Sequence, residues 1–176
     1  VLIYADGKGL VVREPSVVAV DRNTGKILQV GSAARNMLNR TPGNVVAMRP
    51  LKDGIISDHE MTVKMLSEMF KTATKASIFT PKPRVVVSVP SGVTEVEERS
   101  VINAAIEAGA RRVFLIEEPL AAALGAGLNI KDPNGHMVVD IGGGTTDIAV
   151  LSMNGVSVSS SLKVAGDAFD EAIARY

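Results

Sequence analysis

The chain of 176 residues is long enough to bury a core, as one domain or as two small ones. Hydrophobic residues at 46% and charged residues at 22% describe ordinary globular protein; nineteen basic residues balance nineteen acidic ones, so no net field attracts nucleic acid or anionic lipid. The absence of cysteine excludes disulfides, thiolate metal sites and cysteine nucleophiles, which fits a reducing cytoplasm. With aromatics at only 3%, the core must rest on Val, Ile, Leu, Ala and Met. No apolar run approaches the ~20 residues of a membrane-spanning helix.

In chain order, residues 1–4, 9–13 and 16–20 are short β-rich runs separated by Asp6-Gly7-Lys8-Gly9 and Glu14-Pro15, which predicts an antiparallel meander. A turn at Asp21-Arg22-Asn23-Thr24-Gly25 leads to a strand at 26–30, a short helix at 32–38 and a strand at 45–48. Ser57 and Glu60 have capping-box spacing, so a helix should follow, with Met61, Met65, Leu66, Met69, Phe70 and Ala73 on one apolar face as core filler.

From Arg84 the texture changes. A largely apolar strand at 85–89, a helix at 95–108 and a strand at 112–116 form a β-α-β unit, with the strands expected parallel. Pro119 can open a short Ala-rich helix at 120–126. Residues 129–135 are a polar connection and a candidate domain boundary, followed by strands at 136–141, 147–153 and 156–164. The chain starts on a strand without an initiator Met, and FDEAIARY stops within a helical pattern. A piece of a longer protein is therefore expected.

The run DIGGGTTD, residues 140–147, carries the chemistry. Glycine permits positive φ and close ligand approach, and successive amides in such a turn can form a concavity for phosphate oxygens. Thr145 and Thr146 add hydroxyl donors. Asp140 at the strand end is placed to hold a divalent ion through its waters, since Mg²⁺ usually keeps several. A Walker A loop and a Rossmann fingerprint are both excluded, because each leads into a helix whereas here the chain returns as a strand. The bland alternative is a glycine-rich hairpin, but three glycines in a row exceed what a hairpin needs.

The segments VVVSVPSGVTEVEERSVINAAIEAGARRVFLIEEPLAAALGAGL and MVVDIGGGTTDIAVLSMNG resemble the actin-like ATPase superfamily, which includes DnaK-type chaperones and sugar kinases. GKGLVVREPSVVAV and RTPGNVVAMRPLKDGIISD narrow the resemblance to the bacterial actin MreB/Mbl family, over essentially the whole chain. The resemblance implies an α/β, actin-like (ribonuclease H-like) fold, with mixed sheets flanked by helices and incomplete at both ends. In that fold, residues 1–20 and 52–128 would form the first large subdomain and 21–51 a small inserted one. Residues 134–176 would begin the second domain, the two domains closing on ATP and Mg²⁺.

By the same resemblance, Gly142, Gly143, Gly144 and Thr145 contact the phosphates, with Thr146 beside them, and Asp140 serves the metal through water. Glu97 matches the catalytic glutamate that positions the attacking water together with Thr145. On sequence alone Glu97 reads equally well as a capping-box residue with Thr94. Two basic residues usually follow this glutamate in the family; here they are Glu98 and Arg99, which bears on hydrolysis rate. Gly166-Asp167 resembles the opening of the next helix beside the cleft, with Asp167 as its expected cap. Glu117-Glu118-Pro119 is read as structural. Ile78 and Phe79 fall where the family carries a membrane-inserting loop. Two such side chains give at most ~3–6 kcal/mol, enough only when many subunits act together. The family's first phosphate loop is expected upstream of Val1 and its adenosine contacts beyond Tyr176, so this piece alone should bind ATP poorly.

The resemblance implies a cytoplasmic ATPase, peripheral at the inner face of the cell membrane, that polymerises with itself and guides membrane-embedded cell-wall synthesis proteins, with no nucleic-acid partner. A DnaK-type chaperone ATPase would need a larger small subdomain than the ~30 residues here. A sugar or acetate kinase would need an acceptor pocket, and a non-hydrolysing scaffold would not depend on Glu97.

Overall fold

The computed structural model describes residues 1–37, 43–52, 54–74 and 81–176. The chain divides into two compact units. One comprises Val1–Lys52, Ile56–Val85 and Ser100–Val113; the other comprises Asp53–Ile55, Val86–Arg99 and Phe114–Tyr176.

In the first unit, β1 (Leu2–Ala5) and β2 (Gly9–Arg13) form an antiparallel hairpin with a register shift between Ile3 and Tyr4. β3 (Val18–Asp21) does not continue the expected meander. It is the central strand of a separate antiparallel sheet, flanked by β4 (Ile27–Val30) on one side and β5 (Val45–Met48) on the other, with α1 (Ser32–Arg35) between those two in the chain. The reason lies in burial. Val18, Ala19 and Val20 are all buried, Val18 and Val20 in one cluster and Ala19 in another with Val17 and Ala34. A strand covered on both faces gains more as a central strand than as the third strand of an open hairpin.

Two short strands, β6 (Leu51–Lys52) and β7 (Ile55–Ile56), precede α2 (His59–Thr74). The helix starts one residue later than the sequence signal suggests. Asp58 Oδ1 accepts the Met61 N–H at 3.0 Å and is the cap, whereas Ser57 Oγ donates to the Pro50 carbonyl at 3.0 Å. Glu60 bonds Lys64 at 2.6 Å one turn on, instead of reaching back to close a capping box. Met61, Met65, Met69 and Ala73 are buried against Val12, Val18 and Val20, as their helical spacing predicts, while Leu66 and Phe70 are half-buried at the edge of that face. Met65 is wholly buried, and a side chain of that size contributes roughly 1.5–3 kcal/mol of hydrophobic stabilisation.

β8 (Arg84–Val89), α3 (Glu95–Glu107) and β9 (Arg112–Glu117) follow, with β8 and β9 hydrogen-bonded neighbours. α4 (Glu118–Gly125) carries Pro119 in its first turn, where its missing N–H costs nothing. The second unit then forms an antiparallel sheet in the order β10 (His136–Ile141), β11 (Thr146–Ser152), β12 (Gly155–Leu162), before α5 (Gly166–Arg175). Met153 and Asn154 take positive φ (49° and 64°), so β11 and β12 join through a two-residue turn whose twist matches the strands. β11 alternates strictly: Asp147, Ala149 and Leu151 are buried and their neighbours half-exposed. Leu151 packs with Ala123 of α4 and Ile130, which fixes the face of the sheet that α4 covers.

Candidate functional site

Strand register defines the glycine turn. Asp140 stands opposite Asp147 and Ile141 opposite Thr146, leaving Gly142 to Thr145 as the loop, closed by Gly142 N–H donating to the Thr145 carbonyl at 2.9 Å. Neither Gly142 nor Gly143 uses positive φ. Their need for glycine is spatial: a Cβ on Gly142 would lie 3.3 Å from the Thr145 carbonyl oxygen, and one on Gly166 would lie 3.2 Å from the Gly142 carbonyl oxygen.

The start of α5 orients this loop. Gly166 N–H donates to the Gly142 carbonyl at 3.1 Å, and Asp167 N–H to the Gly143 carbonyl at 2.8 Å. In a trans peptide the N–H points opposite to the C=O. With those two carbonyls turned toward α5, the amides of Gly143 and Gly144 point the other way, which is the arrangement an anion nest needs. Asp167 does not cap α5: the N-cap is Ala165, in extended conformation and without a side-chain bond. The Thr146 hydroxyl, expected as a ligand donor, instead donates to the Val164 carbonyl at 2.7 Å and fastens the chain after β12 to the turn. Thr145 is buried, in the same unit as the glycines.

Beneath the turn lies a polar cluster formed by Asp147, Ser91 and Glu117, with Glu118 beside it. Asp147 is 1% exposed, and its Oδ1 accepts the Ser91 N–H at 3.1 Å. Ser91 Oγ donates in turn to Glu117 Oε2 at 2.9 Å. Burial, reinforced by the charges of Asp147 and Asp140, pushes the Glu118 carboxyl up to about 7. The Glu117-Glu118 pair, repeated acids at the end of a strand, was the available signal, but their convergence on Asp140 and Asp147 depends on long-range pairing. Among the described residues, no three His, Cys, Asp or Glu side chains converge to coordinate a metal directly. The carboxylates of Asp140, Asp147 and Glu118 lie close enough to act on one another.

Glu97 sits in the first turn of α3 and closes a complete capping box. Its Oε2 accepts the Thr94 N–H at 2.7 Å and the Thr94 hydroxyl at 2.8 Å, while its own N–H donates to Thr94 Oγ1 at 3.3 Å. The backbone bond from Thr94, then its hydroxyl, and the Lys163 ammonium hold the Glu97 carboxyl below the usual range. Lys163 follows Leu162, which pairs with Thr146 beside the turn. The residues from Ser91 to Glu97, the turn and the start of α5 thus belong to one unit. Ile78 and Phe79 lie outside the described residues. Among the described residues, no helix is long and apolar enough to cross a membrane.

A family model described as MreB/Mbl protein matches residues 1–176. The chain belongs to the MreB/Mbl family. It is 56% identical over 176 residues to the cell shape-determining protein Mbl of Bacillus cereus, covering 100% of this chain and 53% of that protein. It is 53% identical over 179 aligned residues to the cell shape-determining protein MreB of Escherichia coli, covering 99% and 52%. The crystal structure of MreB5 of Spiroplasma citri bound to ADP superposes with a TM-score of 0.90 at 42% identity, over 99% of this chain and 52% of that one; the form bound to AMPPNP gives 0.89. The fold is therefore that of the actin-like MreB proteins, and the chain spans about half the length of the curated MreB/Mbl relatives it matches.

Proposed function

We propose that this chain supplies one phosphate-binding half of an ATP-hydrolysing, cell shape-determining bacterial actin. The observation that carries this reading is the glycine turn whose carbonyls are tied to Gly166 and Asp167, turning the Gly143 and Gly144 amides outward. The nucleotide-bound states of MreB5 support it, since ADP and AMPPNP are the ligands of that relative.

In this reading Gly142, Gly143, Gly144 and Thr145 bind the β- and γ-phosphates, and Thr146 holds the turn in shape. Asp140 would hold a Mg²⁺ through its waters, and the ion would supply charge neutralisation on the phosphates. Glu97 and Thr145 position a water. Its oxygen bonds to the γ-phosphorus as the bond to the bridging oxygen breaks; the electron pair leaves with ADP, and the water proton passes to the released phosphate. Positioning and charge stabilisation, not covalent chemistry, lower the barrier. Residues 1–20 with 52–128, 21–51 and 134–176 are assigned to the large, small and second subdomains of that actin. The protein polymerises in the cytoplasm, attaches at the inner membrane through Ile78 and Phe79, and guides membrane-embedded cell-wall synthesis proteins.

The test is sedimentation of the full-length protein with ATP and Mg²⁺, with and without lipid vesicles. Nucleotide-dependent filaments that pellet with vesicles are expected, and Ile78→Ser with Phe79→Ser should abolish only the vesicle component. Absence of filaments in every nucleotide state refutes the cytoskeletal reading.

A further inference from the structure

The capping box at the start of α3 does more than end-cap a helix. Both donors of Thr94, its N–H and its hydroxyl, fall on one oxygen of Glu97, Oε2, at 2.7 and 2.8 Å. Oε1 takes neither of them. The Glu97 side chain is thereby held against its own helix by a residue three positions earlier, instead of ranging freely as a partly exposed glutamate does. The turn that carries Thr94 is itself anchored: Gly92 takes φ 81°, and Ser91 is buried and bonded to Asp147 and Glu117. Ser91, bonded to the carboxylates beneath the glycine turn, thus lies three residues before Thr94, which is bonded to Glu97.

We propose that Thr94 is a positioning residue for ATP hydrolysis, pinning Glu97 through Oε2 so that Oε1 is presented to the attacking water. This rests on the assignment of Glu97 to water positioning. Holding one oxygen fixes the carboxylate plane, and geometry at a reacting centre is steep: small misplacements cost up to about a hundredfold in rate. A capping box already accounts for the Glu97 N–H on Thr94 Oγ1 and for the Thr94 N–H on the Glu97 carboxylate; what it does not require is the Thr94 hydroxyl on that same oxygen, which leaves Oε1 without either donor.

Substitution separates the two roles in the full-length protein. Thr94→Asp keeps a strong N-cap acceptor for the Glu97 N–H, yet it removes the hydroxyl donor and sets a second negative charge beside Oε2. Thr94→Val removes the hydroxyl with little change in shape, and Thr94→Ser restores it. Single-turnover hydrolysis, nucleotide affinity and thermal unfolding are measured for each, alongside Glu97→Gln.

Thr94→Asp should fold with a melting temperature within a few degrees of the parent and bind ATP within about twofold of it, yet hydrolyse it about tenfold or more slowly. Thr94→Val should lose rate similarly, and Thr94→Ser should match the parent. The Thr94→Asp, Glu97→Gln double variant should be no slower than Glu97→Gln alone. Parental hydrolysis by Thr94→Asp, or additive losses in the double variant, overturns the proposal while Glu97→Gln still reports on the catalytic assignment. An unchanged rate in Glu97→Gln overturns that assignment itself.

Discussion

Asp140 and Asp147 face each other directly across β10 and β11, two carboxylates on adjacent strands with Glu118 close enough to feel both. Like charges in cross-strand register repel. Asp147 is satisfied by the Ser91 N–H, and burial, together with the charges of Asp147 and Asp140, raises the affinity of Glu118 for a proton.

That arrangement predicts a pH dependence. The Glu118 carboxyl is raised from 4.5 to about 7 by burial and by Asp147 and Asp140. The folded state therefore holds a proton that the unfolded chain releases, and stability falls as pH rises from about 4.5 through about 7. Glu118→Gln should flatten this slope and stabilise the protein at pH 8 by no more than about 1–2 kcal/mol, since the group is partly solvated. Urea unfolding of the full-length protein at pH 5 and pH 8 without Mg²⁺ checks it. Parallel slopes for parent and variant would count against the coupling.

Gly143 tests the nest separately from the fold. Its φ is not in the left-handed region, and an added Cβ would meet only the Asp167 carboxylate, at an ordinary 3.7 Å. Gly143→Ala should leave unfolding within about 0.5 kcal/mol of the parent. Its methyl would crowd a phosphate, so ATP affinity, read by titration with a fluorescent analogue, should fall about tenfold or more. Gly54→Ala is the opposite case: φ is 74° and a Cβ would lie 2.6 Å from Pro90 Cγ, so stability itself should drop.

The core of the first unit turns on Met65. Met65→Ala should destabilise by about 2–5 kcal/mol, because its packed neighbours on β2 and β3 cannot close the cavity fully. Met65→Leu should cost less than about 1.5 kcal/mol. Denaturant midpoints at constant m-value measure both; a loss under about 1 kcal/mol for Met65→Ala would mean the site collapses freely.

Glu14 and Gly31 form a second lock. Glu14 Oε2 accepts the Ser32 N–H at 2.6 Å at the start of α1, and the Ser32 hydroxyl and N–H draw the Glu14 carboxyl below its usual range. Gly31, at φ 72°, leaves room for that carboxylate, which a Cβ would overlap. Gly31→Ala should cost about 1–3 kcal/mol, and the penalty should shrink in a Glu14→Ala background. Equal penalties in both backgrounds would show that the backbone conformation alone carries the cost.

Most elements were legible before the fold was known, because each rests on a local pattern. The four-residue spacing of Met61, Met65 and Met69 marked α2, the largely apolar run at 85–89 marked β8, and the three glycines marked the turn. The box between Thr94 and Glu97 was equally local, four residues on one helical turn. Errors arose where two local signals competed. Ser57 and Asp58 are both good caps, and only the Pro50 carbonyl, which takes the Ser57 hydroxyl, decides for Asp58.

The sequence by itself determined the family, the succession of elements and the residues of the glycine turn, since these reside in neighbouring side chains and their periodicity. Tertiary structure alone decided that β3 leaves the first hairpin to become a central strand, that Thr146 secures Val164, and that Asp147 meets Ser91 from 56 positions away. It also decided which way the turn's amides point, because Gly166 and Asp167 claim the carbonyls of Gly142 and Gly143. A peptide's two polar ends are fixed opposite each other. What one end bonds far along the chain therefore sets where the other end faces, and no local pattern carries that information.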